Sequence, residues 1–333
     1  MKNTAIKIVL WTVLFVIMVF FPKLFGIYYT NLFVTFAVFA VYAVSLNVLL
    51  GYTGLLSFGH AMFFGIGGYG TALALKHIDG IALLPAVGIG VLATFLLALV
   101  LCPLVTRVTG TAFAMLHLAF GQLFYVLALK LRNITGGEDG IGNFPIPDLV
   151  IPGVASFSMK GAPQNFYYLA LVLLGISLWL MWFFTKTPFG QIQVAIRDNA
   201  KRADYLGYKV PQSKAVIYVV SGIFAGVAGS VYGMFHNLVS ADGSLGVMVS
   251  FTPIIAAMIG GVGSFFGPIW GTAIFQILEE VVFRFTDRVE LVTGAILILV
   301  VMFAPQGLAG FIKMLKMRYF STPAVSAKKE KTS

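Results

Sequence analysis

Ser57 and His60 stand in the stretch of this sequence best suited to chemistry: Gly51-Tyr-Thr-Gly54, then LLSFGHAMFFGIGGYG. It is a polar interruption inside apolar sequence. A hydroxyl and an imidazole there can donate and accept hydrogen bonds. At membrane depth such groups must face protein or a water-filled cavity, since hydrocarbon offers them no partner. Ser57, Gly59 and His60 are therefore candidates for lining a polar path through a bilayer. The alternative is tight packing through small residues, with His60 hydrogen-bonded inside a helix bundle. Glu279 and Glu280 are the other membrane-depth groups with reactive chemistry. Glu280 with Arg284 at i+4 reads as an interfacial ion pair, and Glu279 joins the path candidates.

Other chemistries are excluded or unsupported. His117 and His236 have no companions at metal-ligand spacing. Cys102 is the single cysteine, which rules out an internal disulfide and a cysteine-cluster metal site. No nucleophile–base pair is visible, so no catalytic residue is named and an intramembrane enzyme is disfavoured. Gly65, Gly67 and Gly70 match G-x-G-x-x-G, yet no βαβ context surrounds them and no acidic residue follows at the required distance. G-x-x-x-x-G-K-[ST] is absent from the chain, so by that mechanism it binds no ATP, and no cofactor of its own is expected.

The elements that position these residues are membrane spans. Hydrophobic residues make up 59% and charged residues 10%, against roughly 25% charged in soluble domains. Apolar windows predict an all-α polytopic membrane protein of about ten transmembrane segments, some broken or re-entrant. They fall at Ile8–Tyr28, Leu32–Leu50, Leu55–Leu75, Ile81–Val105, Thr111–Leu131, Phe166–Phe184, Ser213–Phe235, Phe251–Val262, Pro268–Phe283 and Leu291–Phe303. The first is read as an uncleaved span, because no small-residue cleavage site follows it. Phe251–Val262 is too short to cross at full thickness, so a break is expected there. The formal charge of +10 is no nucleic-acid signature, since the basic residues cluster between spans and at the termini. With both termini cytoplasmic, 15 of the 22 Lys and Arg residues fall inside, the orientation the positive-inside rule favours. The domain division is a transmembrane unit over 1–312, with an outer loop at 132–165, and a basic cytoplasmic tail over 313–333.

One long polar island, Thr185 to Lys214, lies on the inner side. Thr187 suits an N-cap, Pro188 the first helical residue and Gly207 the left-handed position past the end. A single amphipathic helix over 187–207 is predicted, with Phe189, Ile192, Ile196, Ala203 and Leu206 on the apolar face. Gln193, Arg197, Lys201, Arg202 and Asp204 lie off that face. It is either a connector on the lipid headgroups or a docking helix for a cytoplasmic partner. Two runs of small residues, Gly222, Gly226, Gly229 and Gly263, Gly267, Gly271, read as helix-packing faces.

These stretches together resemble the membrane permease of branched-chain amino-acid ABC transporters, the LivM type, over about Leu32 to Gly310. The similarity is carried by GYTGLLSFGHAMFFGIGGYG, RVTGTAFAMLHLAFGQ with ITGGEDGIG, and TPFGQIQVAIRDNAKRADYLGYKVPQSKAVIYVVSGIFAGVAGSVYG. IIAAMIGGVGSFFGPIWGTAIFQILEE and MFAPQGLAGF complete it. Two departures stand out: His117 occupies a position where threonine is commoner, and Lys201-Arg202 replace residues more often acidic or apolar. The resemblance implies one of two paired permeases in a bacterial inner (cytoplasmic) membrane. Two ATP-binding cassette subunits would dock below, and a periplasmic substrate-binding protein would deliver leucine, isoleucine or valine. Ser57, Gly59 and His60 stand in register with that family's glycine-rich segment, and with Glu279 they are the candidates for the translocation path. The resemblance also implies coupling to the ATPase through Arg197, Asp198, Asn199, Lys201, Asp204 and Gly207. Similar permeases handle urea, short amides and aromatic acids. An ion-coupled secondary transporter is the rival class, and it would want more intramembrane carboxylates and inverted repeats.

Overall fold

The computed structural model describes residues 2–151, 155–159 and 163–285, with isolated positions between 291 and 302. The tail at 313–333 and most of the span expected at Leu291–Phe303 lie outside the described residues. Among the described residues, six helical segments are long and apolar enough to cross a membrane. Shorter helices fill in between them.

α1 (Lys2–Thr53) departs from helical geometry at Gly26, with φ 78° and ψ 177°. The chain folds back there. Phe21 and Phe33 bring their ring centroids within 5.1 Å, where a straight helix would hold the two residues about 18 Å apart along its axis. The first two expected spans are thus the limbs of one bent element. Tyr167 and Tyr168 of α6 (Pro163–Lys186) fasten the first limb by donating to the Met18 and Val19 carbonyls, each at 2.8 Å.

The third span differs from the expectation of a helix from Leu55. Residues 54–60 are not helical, and α2 starts at Ala61 and runs to His77. This irregular segment is tolerated because it is enclosed by protein, with Leu55, Ser57 and His60 all buried. α2 is buried along most of its length and packs against α3 (Leu83–Val105) and α9 (Val210–His236). Small residues permit the crossing. A Cβ on Gly67 would overlap the Gly226 carbonyl, and one on Gly226 would overlap Thr94. Ser230 ties α9 to α2 by donating to the Gly67 carbonyl at 3.0 Å. The G-x-G-x-x-G stretch therefore lies on a buried helix and serves helix approach.

α4 (Thr111–Lys130) is followed by the short α5 (Arg132–Thr135). The 132–165 segment carries small antiparallel pairings. β1 (Ile141–Gly142) pairs with β4 (Leu238–Val239), Ile141 facing Val239, and β2 (Leu149–Ile151) pairs with β3 (Ala155–Phe157). The eighth span is longer than its apolar window. α10 (Ala241–Leu245) and α11 (Val247–Gly260) follow one another across Gly246, and α12 (Gly267–Phe283) returns.

The polar island forms two helices where a single one is predicted from the sequence: α7 (Pro188–Asp198) and α8 (Ala200–Tyr205). Asn199 is extended (φ −158°, ψ 93°), and its side chain caps α8 by accepting from the Arg202 N–H at 2.9 Å. The expected ends hold. Thr187 accepts from the Gly190 N–H, and Gly207 takes φ +88°. The N–H groups of Gly207 and Tyr208 bond back to Asp204 and Ala203, which is a Schellman closure. The face differs from the helical-wheel expectation. Gln193 is fully buried and donates to the Ser213 carbonyl, while Leu206 is exposed.

Candidate functional site

Ser57 and His60 enter a buried polar knot made of two hydrogen-bonded networks, and His60 Nδ1 has no partner among the described residues. Ser57 Oγ lies 2.7 Å from His117 Nδ1, and His117 Nε2 lies 3.0 Å from the Tyr218 hydroxyl. A neutral imidazole offers one donor and one acceptor, so either tautomer satisfies both bonds. His60 Nε2 lies 3.1 Å from Ser45 Oγ, which itself donates to the Tyr42 carbonyl at 2.7 Å. With its hydrogen committed, Ser45 Oγ accepts, which assigns the His60 proton to Nε2. Ser221 donates to the Ser45 carbonyl at 2.6 Å, and Ser250 Oγ accepts from the Ala61 N–H at 3.0 Å. Gly59 makes this closure possible. A Cβ there would overlap the His117 backbone carbonyl, and Gly121 packs against Gly59 from the same helix.

Ser57 and His117 have the geometry of a nucleophile–base pair. Both are 0% exposed, and no carboxylate orients the imidazole, whose second nitrogen goes to Tyr218. Catalysis requires access for water and substrate, so the pair serves to fasten the irregular 54–60 segment to α4. His117 and Tyr218 join the knot without a sequence signal beyond the polar character of His117 in an apolar helix.

Glu279 lies apart from this knot. It lines a cleft of about 1040 Å³ bounded by α1, α9, α11 and α12, together with Thr35, Phe39, Tyr232, His236 and Gln276. Among the described residues no salt bridge involves Glu279. At the cleft rim Tyr28 donates to Glu280 at 2.6 Å and Arg284 lies 3.3 Å from the same oxygen. This ties the bend of α1 to the end of α12. Among the described residues, no three His, Cys, Asp or Glu side chains gather closely enough to hold a metal ion.

The polar island divides into a tied half and a free half. Arg197 Nη1 donates to the Gly51 carbonyl at 2.6 Å, and Nε and Nη2 reach Asp198 Oδ1 at 3.2 and 3.1 Å. Lys201, Arg202, Asp204, Tyr205 and Leu206 are exposed, Tyr205 at 87%. Of the glycine runs, Gly222 faces the Phe63 ring, a Cβ on Gly229 would overlap the Phe64 carbonyl, and one on Gly271 would overlap that of Ala256. Gly263 lies in the tight turn between α11 and α12, and Gly267 opens α12, where a Cβ would overlap the Gly261 carbonyl.

Comparison with known proteins fits this architecture. A family model described as "Branched-chain amino acid transport system / permease component" matches residues 28–303. The high-affinity branched-chain amino acid transport system permease protein LivM of Salmonella typhimurium is 28% identical over 292 residues. The match covers 81% of this chain and 67% of that protein. LivM of Escherichia coli gives the same identity and coverage. LivH of Escherichia coli is 25% identical over 294 residues, covering 82% of this chain and 91% of that protein. No solved structure matches the chain.

Proposed function

This chain belongs to the family of branched-chain amino acid transport permease components, and on that premise we propose that it is the membrane permease subunit of an ATP-driven importer of leucine, isoleucine and valine. A second permease completes the path, two ATP-binding subunits dock on the inner side, and a periplasmic binding protein delivers substrate. ATP is bound and hydrolysed by those partners. The family match over residues 28–303 carries this reading.

The proposed topology has ten spans: the two limbs of α1, then α2, α3, α4, α6, α9, α11, α12 and the segment from Leu291. Both termini and the 186–214 segment lie in the cytoplasm, as the charge bias favours. The protein is multi-pass in a bacterial inner membrane. Glu279 lines the outer part of the path. Ser57, Gly59 and His60 hold its wall in shape, since the Ser57 hydroxyl and His60 Nε2 are bonded within the knot. Lys201 and Asp204 on α8 face the ATP-binding subunit, and the outer loop lies near the docked binding protein.

The deciding experiment is reconstitution of the purified assembly in proteoliposomes. Leucine uptake is expected to require ATP inside the ATP-binding compartment and the loaded binding protein on the other face. Uptake that persists without the ATP-binding subunits and follows an ion gradient would establish a secondary transporter instead. Cysteines placed at Asp139 and Lys201 in a Cys102→Ala background test orientation. In intact cells a membrane-impermeant reagent is expected to label only the former.

A further inference from the structure

Arg197 lies on the inner polar island, where it reads from sequence as a contact for the ATP-binding subunit. Its hydrogen bonds run the other way. Nη1 donates to the Gly51 carbonyl at 2.6 Å. Gly51 sits in the last turn of α1, where carbonyls have no partner within the helix. A guanidinium there both satisfies the acceptor and complements the negative end of the helix dipole. Asp198 holds the other edge of the guanidinium. Gly54, just past α1, approaches the Arg197 side chain closely enough that a Cβ would touch its Cγ at 3.3 Å.

The same turn of α1 grips a second element. Asn47 is fully buried. Its Nδ2 donates to the Ser264 carbonyl at 2.9 Å, and its Oδ1 accepts from the Gly263 N–H at 3.3 Å. Both belong to the turn joining α11 to α12. A Cβ on Gly263 would sit 3.4 Å from Arg197 Nη1. So α7, the inner end of α1 and the α11–α12 turn meet at one junction. α1, α11 and α12 all contribute to the walls of the Glu279 cleft.

We propose that Arg197 is a positioning residue through which α7 moves the walls of that cleft. It works with Asn47 and makes no contact with the ATP-binding subunit. This rests on the importer reading above. A displacement of α7 is passed through a hydrogen-bonded guanidinium to α1, and through Asn47 to the α11–α12 turn. The free half of the island, α8, takes the docking contact. The two halves thus separate into a docking surface and a fastener.

The test uses the full assembly in proteoliposomes and reads leucine imported per ATP hydrolysed. Co-purification of the ATP-binding subunits is scored separately. For Arg197→Ala, wild-type co-purification is expected, with a fall of about tenfold in import per ATP. Asp198→Ala alters an exposed carboxylate and leaves the junction's backbone bond in place. A smaller fall of about twofold in the same ratio is expected for it. Lys201→Glu is expected to weaken co-purification of the ATP-binding subunits, which Arg197→Ala leaves at the wild-type level. Loss of the ATP-binding subunits from Arg197→Ala would make Arg197 a docking residue and overturn the proposal. An unchanged ratio in Asp198→Ala, or in a well-assembled Arg197→Ala, would also overturn it. Wild-type assemblies that import no leucine would remove the importer reading itself, and the inference with it. Wild-type import with unchanged variants would remove the inference alone.

Discussion

The Ser57–His117–Tyr218 knot and the Glu279 cleft are both polar features in a greasy bundle, and their environments are opposite. In the knot Ser57 and His117 are bonded within the chain and shut away from water. In the cleft Glu279 borders an open space that it shares with aromatic side chains. Polarity at membrane depth therefore has two meanings. A group whose partners are already supplied by other helices fastens the fold. A group left facing a cavity is free to meet something from outside. In both regions a polar side chain sits on an apolar element, and the neighbours decide which of the two meanings holds.

Substitutions sharpen this contrast, and the largest effect belongs to Gly59. Gly59→Leu drives a side chain into the His117 carbonyl, which is backbone and cannot swing aside. Folded, monodisperse permease is not expected from this variant by size-exclusion chromatography. A normal yield would mean that the knot is far looser than its geometry. His117→Ala comes next. It leaves the Ser57 and Tyr218 hydroxyls unpartnered beside a new void, a loss of about 2–4 kcal/mol. The apparent Tm in detergent should fall clearly, and an unchanged Tm would break the fastener assignment. Glu279→Gln is the smallest in stability, within about 0.5 kcal/mol, because the side chain is exposed and nearly isosteric. Its expected effect is on leucine uptake, which drops while Tm holds. A Tm loss matching that of His117→Ala would erase the distinction between the two regions.

Much of the architecture is local and was readable from residue order. Thr187, Pro188 and Gly207 mark helix ends through bonds that span only a few residues, so the island's limits follow from its own sequence. The break at Asn199 was also within reach. Asparagine is a poor interior helix residue and a preferred N-cap, and its side chain accepts three residues on. The continuous apolar pattern around it concealed the break. Gln193 misleads for a different reason. Its polarity argues for exposure, while the Ser213 carbonyl supplied a buried partner from the next helix.

By itself the sequence determined the membrane class, the approximate spans, the charge bias across them and the polar island between two of them. Each of these is a sum over neighbouring residues, and hydropathy, capping and turn preference act at short range. Tertiary structure alone decided which polar residues are spoken for. Ser57 meets His117 across 60 residues, His117 meets Tyr218 across 101, Arg197 meets Gly51 across 146 and Asn47 meets the Gly263 N–H across 216. Those pairings depend on which helices cross and how closely. The crossings are set by the three-dimensional fit of small residues such as Gly59, Gly67 and Gly226 against specific backbones. A glycine's place in the sequence tells that a close approach is possible. It does not tell which helix approaches.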